Sequence, residues 1–209
     1  SNLTRYLCLS GRIEEAETWA EPLKAVQSEA VDVWVKKAEA LSFLGDDEGV
    51  LEALRAARVS RPLGLPEDAL LYHLAAVAAM RLGREKEARK HWKQALKLSP
   101  GFDFAQDNLD DLKRPVGERN GPWSYPISYW IPEKVIRALA RHLDRAGHSD
   151  RAVTRQARKF LEAHPRVTAL VPMLLDRGDS AGREFAVRIA MLGETPELLS
   201  ALRDFALGQ

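Results

Sequence analysis

The stretch Ala69 to Phe102, ALLYHLAAVAAMRLGREKEARKHWKQALKLSPGF, constrains the fold of this chain more than any other. Tyr72 opens a helix in which the small residues Ala75, Ala76 and Ala79 share one face, where a second helix can approach closely. Leu82-Gly83 ends it, since glycine is free to take the positive φ of a C-terminal cap. A second helix from about Glu85 places Ala88, Trp92, Ala95 and Leu96 at i, i+4, i+7 and i+8, the spacing of a buried stripe. Pro100, with fixed φ and no amide hydrogen, stops it. The stretch is a helix–turn–helix unit.

That unit recurs. Gly11, Gly45 and Gly83 each precede a charged stretch and an apolar-periodic helix, and their spacings are 34 and 38 residues. Between Val31 and Pro62, Trp34 takes the opening aromatic position, Ala38 and Leu41 follow, Leu44-Gly45 ends the first helix and Pro62 closes the unit. Ala57 keeps the later small position, whereas Val50 and Leu54 depart from the Ala and aromatic of the third unit. The four extra residues fall around Gly64-Leu65-Pro66-Glu67, in a loop where insertion costs little. The order of large aromatic, small residues, Leu-Gly, Ala-x3-aromatic, Ala and final Pro resembles the tetratricopeptide repeat (TPR), whose period is about 34. The resemblance covers roughly residues 3–112.

The first unit is incomplete. Leu3 to Leu9 supplies the end of a first helix, and Ile13 to Leu23 a second with Ala16 and Ala20 in register. FAQDNLDDL (Phe104 to Leu112) resembles the first helix of a fourth unit and is expected to cap the stack. Arg114 to Pro132 then carries four prolines, two glycines and the aromatics Trp123, Tyr125, Tyr129 and Trp130. It is too proline-broken for a helix and too aromatic for a disordered linker, so an extended segment laid against helices is expected. Its rings either staple one subdomain to the next or line a ligand groove.

From Pro132 the pattern is helical but no longer TPR-like. One helix from Pro132-Glu133 carries Val135, Ile136, Leu139, Ala140 and Leu143 on a face. Ser149-Asp150 is expected to cap the next, which buries Val153, Ala157, Phe160 and Leu161 and ends before Pro165. A third covers Val167 to Asp176, with Pro172 marking a kink or late start. Gly178-Asp179-Ser180 turns into a fourth, and Thr195-Pro196-Glu197 starts a fifth. Short paired helices with tight turns resemble HEAT-like repeats in architecture.

Signals of chemistry are absent. No phosphate-cradling glycine loop, GxSxG elbow or HExxH occurs. His73, His91, His142, His148 and His164 are scattered without zinc-ligand spacing, and Asp107, Asp110 and Asp111 are expected on a solvent face. The single Cys8 excludes an internal disulfide, reads as a small core residue and suits a reducing compartment, so a cytoplasmic setting is the default. No run approaches the ~20 apolar residues of a membrane span, and no signal segment opens the sequence. The expectation is no enzyme, cofactor, metal or membrane.

Surfaces remain. TPR arrays bind extended peptides or helices in a groove lined by the first helix of each unit. Carried onto this chain, that resemblance implies Asp32, Val35, Glu39 and Ser42, followed by Leu70, His73, Val77 and Met80. The Lys and Asn set with which some members clamp a carboxylate terminus is missing. Leu70, Val77 and Met80 form an apolar patch that either takes a partner helix or is filled by the chain's own aromatic segment or a neighbouring helix. A second, basic surface runs through Arg137, Arg141 and Arg145, then Arg151, Arg155, Arg158 and Lys159. Interleaved Glu133, Asp144, Asp150 and Glu162 and a net charge of +1 favour a solvated face over phosphate contacts.

The expected fold is therefore an all-α solenoid: TPR helix-turn-helix units over 1–113, a connector over 114–131, and HEAT-like paired helices over 132–209. The expected function is a non-catalytic scaffold that holds a partner peptide or helix in the groove. The alternative is nucleic-acid or acidic-protein binding through the arginine face. An apolar last helix, with no polar cap after Phe205, predicts a longer natural chain or a homodimer through an exposed solenoid end.

Overall fold

Three helix ends are built alike, and glycine is the reason. Gly11, Gly45 and Gly83 have φ of 75°, 78° and 74°, a left-handed conformation that is strained for residues with a Cβ. The residue after each glycine donates its N–H to a carbonyl five residues back. Arg12 bonds Leu7 at 3.0 Å, Asp46 bonds Leu41 at 3.0 Å and Arg84 bonds Ala79 at 2.8 Å. This closure satisfies carbonyls that a helix end leaves open, and it reverses the chain. Each reversal joins two helices: α1 (Asn2–Leu9) to α2 (Ile13–Lys24), α3 (Val31–Leu44) to α4 (Asp47–Ser60), and α5 (Ala69–Arg81) to α6 (Glu85–Leu98).

The computed structural model describes residues 1–60, 67–145 and 149–208. Pro62, the insertion at 64–66 and His148 lie outside the described residues. The chain divides into two compact units, Ser1–Ser124 and Tyr125–Gln209. The division falls inside the proline- and aromatic-rich stretch.

In the first unit each helix packs on its pair partner, and α1, α3 and α5 also pack on one another in sequence. Helix α5 contacts α3, α4 and α6, so every residue from Leu71 to Ala79 is buried. Its two alanine pairs, Ala75-Ala76 and Ala78-Ala79, permit that encirclement by their small volume. Trp34, Phe43, Leu74 and Trp92 fill the core, each large ring or branched chain contributing about 1.5–3 kcal/mol by leaving water. The indole of Trp34 donates to the Ser28 carbonyl at 2.8 Å, and Lys37 Nζ donates to the Lys24 carbonyl at 2.7 Å, where α2 ends. Arg81 pairs with Asp47 at 2.9 Å and Arg84 with Glu48, tying the second helix pair to the third. Helix α7 (Asp103–Asp111) packs on α6, and a single 3-10 turn, Val116–Glu118, follows. This stacking is consistent with a helical solenoid.

The second unit opens with α8 (Ile127–Trp130), a single helical turn where extended chain was expected. The prolines flank these four residues instead of interrupting them: Pro126 occupies the N-cap and Pro132 lies beyond the end. Then come α9 (Glu133–Asp144), α10 (Asp150–Ala163), α11 (Pro165–Arg177), α12 (Ser180–Gly193) and α13 (Pro196–Leu207). Helices α10 and α12 pack together, as do α11 and α13, around Phe160, Leu170, Leu174 and Ile189. Helix α11 begins at Pro165 itself, because a first-turn proline needs no amide partner, and Pro172 sits within it. Ser149 holds the N-cap position of α10 but makes no side-chain cap bond. Asp179 is the stronger cap: its Oδ1 accepts from Gly182 N at 2.8 Å and from Ile127 N at 3.2 Å, joining the starts of α12 and α8. Thr195 accepts from Leu198 N at 3.3 Å at the head of α13.

Among the described residues the protein is all-α, with one isolated bridge between Tyr125 and Gly178. No described helix is long and apolar enough to cross a membrane.

Candidate functional site

The first-helix face of the first unit is built from positions three and four apart on α3 and α5. On α3, Asp32 is exposed, Val35 is buried and Glu39 is largely covered, with its carboxylate 2.5 Å from Lys36 Nζ. On α5, Leu70 and Met80 are half-buried at the two ends, while His73 and Val77 between them are fully covered.

Part of the cover is the chain's own segment. Ser42 Oγ donates to Ser124 Oγ at 2.9 Å. His73 Nε2 lies 3.1 Å from the Ser124 carbonyl, and the Trp92 indole N–H donates to His73 Nδ1 at 3.2 Å. Because the indole only donates, Nδ1 must accept, which leaves the proton on Nε2 to reach Ser124. The imidazole is thus neutral with both nitrogens satisfied. Burial holds its pKa down at about 4, against a smaller upward pull from the Ser124 carbonyl.

Asn108 of α7 completes the row. Its Nδ2 donates to the Trp123 carbonyl at 3.1 Å and to the Phe104 carbonyl at 2.7 Å, and its Oδ1 accepts from Trp123 N at 3.1 Å. The amide therefore pairs with both main-chain groups of Trp123, as a neighbouring strand would. The Trp123 ring lies 5.5 Å from that of Phe104 and 6.2 Å from that of His73. Upstream, the Asp111 carboxylate accepts from Asn120 N at 3.0 and 3.1 Å, and Arg119 donates to the Leu112 carbonyl at 3.0 Å. Three helices, α3, α5 and α7, so place Ser42, His73 and Asn108 on one short non-helical segment.

The other aromatic residues of this stretch belong to the second unit. Tyr125 and Trp130 are buried there, with the Trp130 indole donating to the Tyr125 carbonyl at 3.3 Å. Tyr129 is partly exposed and stacks on Tyr125 at 5.3 Å.

Asn108 was not singled out from sequence, yet a signal existed. It lies on the stripe of Ala105 and Leu112, which points inward, and a buried amide needs partners. Asp111 reads from sequence as a solvent-facing carboxylate and instead holds a main-chain amide.

On the basic surface, Arg137, Arg141, Arg145, Arg151, Arg155, Arg158 and Lys159 are all exposed. Arg137 pairs with Glu133 at 2.5 Å and Arg158 with Glu194. Asp150, Glu162 and Glu194 line the same shallow surface as Arg151, Arg155 and Lys159. The basic charge is diluted where the residues converge. His142 and His164 lie against the Phe160 ring, at 5.5 and 4.0 Å, and Cys8 is buried. Among the described residues no group of three or more His, Cys, Asp or Glu is placed to hold a metal ion.

Comparison with known proteins gives one match and two blanks. No curated protein and no solved structure matches the chain. A tetratricopeptide repeat covers residues 69–102, which are the α5–α6 pair, the turn between them and the turn after α6.

Proposed function

We propose that this protein is a non-catalytic scaffold that holds a partner polypeptide on the first-helix face of its first unit. The observation that carries the reading is that this face already holds a non-helical segment of chain, by its main chain through His73 and Asn108 and by the Ser124 hydroxyl through Ser42. The pairs α1–α2 and α3–α4 are read as further repeats of the kind matched at α5–α6, supported by their identical glycine closures. Helices α9 to α13 are read as HEAT-like pairs that extend the scaffold. The half-buried Leu70 and Met80, with exposed Asp32 and the rim carboxylate of Glu39, are the partner-contacting residues in this reading.

The test is capture from native lysate, with and without nuclease. A discrete protein is expected that survives nuclease, is lost with Leu70→Asp plus Met80→Asp, and is retained with Arg141→Glu plus Arg155→Glu. Leu70 and Met80 are chosen because, unlike Val77, they already touch water and tolerate a carboxylate. Recovery of nucleic acid that disappears with the arginine changes would overturn the reading in favour of the basic face.

A further inference from the structure

The segment at 120–124 is bound in an unusual manner for a loop. It contributes no helix or strand, and helix side chains hold it chiefly by its main-chain atoms: Asp111 on Asn120 N, Asn108 on Trp123 N and O, His73 on Ser124 O. Side chains of the segment are read as well: the Trp123 ring lies among Phe104 and His73, the Ser124 hydroxyl accepts from Ser42, and the Asn120 amide donates to Asp111 at 3.2 Å. Main-chain bonds at fixed positions plus one ring slot are how a groove recognises a peptide.

The polar groups that do the holding are themselves buried. Asn108 is 2% exposed and His73 0%, so whatever lies there must supply a carbonyl to His73 and an N–H and carbonyl to Asn108. An occupant without those groups in that order leaves buried donors unpaired, which is a strong basis for discrimination.

We propose that residues 120–124 are an internal ligand of this face, and that the outside partner is an extended segment with a bulky aromatic residue followed by serine, which displaces them. The inference rests on the scaffold reading above. The resting protein is self-blocked, and the partner competes with a tethered copy of its own recognition chemistry, whose effective concentration for a short linker is in the millimolar range.

The probe is a labelled, terminally blocked peptide of residues 119–126, RNGPWSYP, titrated against the full chain by fluorescence anisotropy. Trp123→Ala empties the ring slot but keeps Ser42, His73 and Asn108. The peptide should bind this variant at least tenfold more tightly than the unaltered chain. Adding Asn108→Ala, or replacing the peptide's tryptophan by alanine, should remove the gain. A Trp123→Ala protein with unchanged helical circular dichroism that binds the peptide no better than the parent overturns the proposal.

If that variant loses its helical signal, hydrogen exchange on the unaltered chain decides. Millimolar peptide should speed exchange of the Trp123 amide at least tenfold, and unchanged exchange overturns the proposal. Failure of the peptide while the lysate partner is still lost with Leu70→Asp plus Met80→Asp removes the internal ligand and leaves the scaffold. Failure of both removes the groove.

Discussion

The neutral state of His73 makes folding of the first unit sensitive to acid, and the size of the effect follows from its surroundings. In the unfolded chain the imidazole titrates near 6.5, whereas in the fold burial holds it at about 4. A base with a lowered folded pKa leaves the unfolded state binding more protons as pH falls. Its contribution is therefore complete above pH 6.5 and is lost progressively down to pH 4. The loss is about 2–3 kcal/mol by pH 4.5, from 1.36 kcal/mol for each pKa unit. Geometry gives the same sign: a proton on Nδ1 would face the Trp92 indole N–H, two donors 3.2 Å apart. Burial also lowers the pKa of His91, so the comparison must be differential. Urea unfolding of the unaltered chain and of His73→Gln, followed by tryptophan fluorescence from pH 7 to 4.5, isolates it. The unaltered chain should lose about 2–3 kcal/mol more than the variant across that range. Parallel losses within 0.5 kcal/mol or so would refute the assignment of a neutral, doubly bonded imidazole.

Two further predictions concern backbone chemistry. Asp179→Ala removes the acceptor shared by Gly182 N and Ile127 N and should lower stability of the second unit by about 1–2 kcal/mol in urea unfolding. Asp179→Asn, which keeps an oxygen there, should recover most of it. Gly83→Ala meets no atom within 4 Å and should cost about 1 kcal/mol through its positive φ alone. At Gly178 a Cβ would lie 2.5 Å from the Leu174 carbonyl oxygen, so Gly178→Ala should cost about 2–3 kcal/mol in the same assay. Equal costs at the two glycines would contradict the steric distinction.

Local rules made much of this fold legible. The positive-φ glycines, the apolar stripe of α6 and the proline at the head of α13 each act within a few residues, and pattern alone locates them. Ser42 and His73 reach the face through helical register, which is also local. What register does not reveal is the return of the chain 82 residues after Ser42, to place Ser124 against it. That depends on how Arg119, Asp111 and Asn108 turn the loop back, and each of these reads from sequence as an ordinary polar residue on a helix or in a loop. The turn at α8 was obscured differently: proline density over 114–132 suggested a broken chain, when spacing between the prolines left room for four helical residues. Ser149 shows the reverse error, a residue of the right type that makes no cap bond.

Stacked helix pairs behave as a one-dimensional array in which each member feels only its neighbours and the ends fray independently. The bonds from Ser42, His73 and Asn108 to consecutive residues break that rule, because one short run of chain touches α3, α5 and α7 together. Melting α7 alone would strip partners from two buried side chains and loosen a contact on α3. The middle of this array should thus unfold as a single cooperative block, with α3 to α7 exchanging their amide hydrogens at one common free energy.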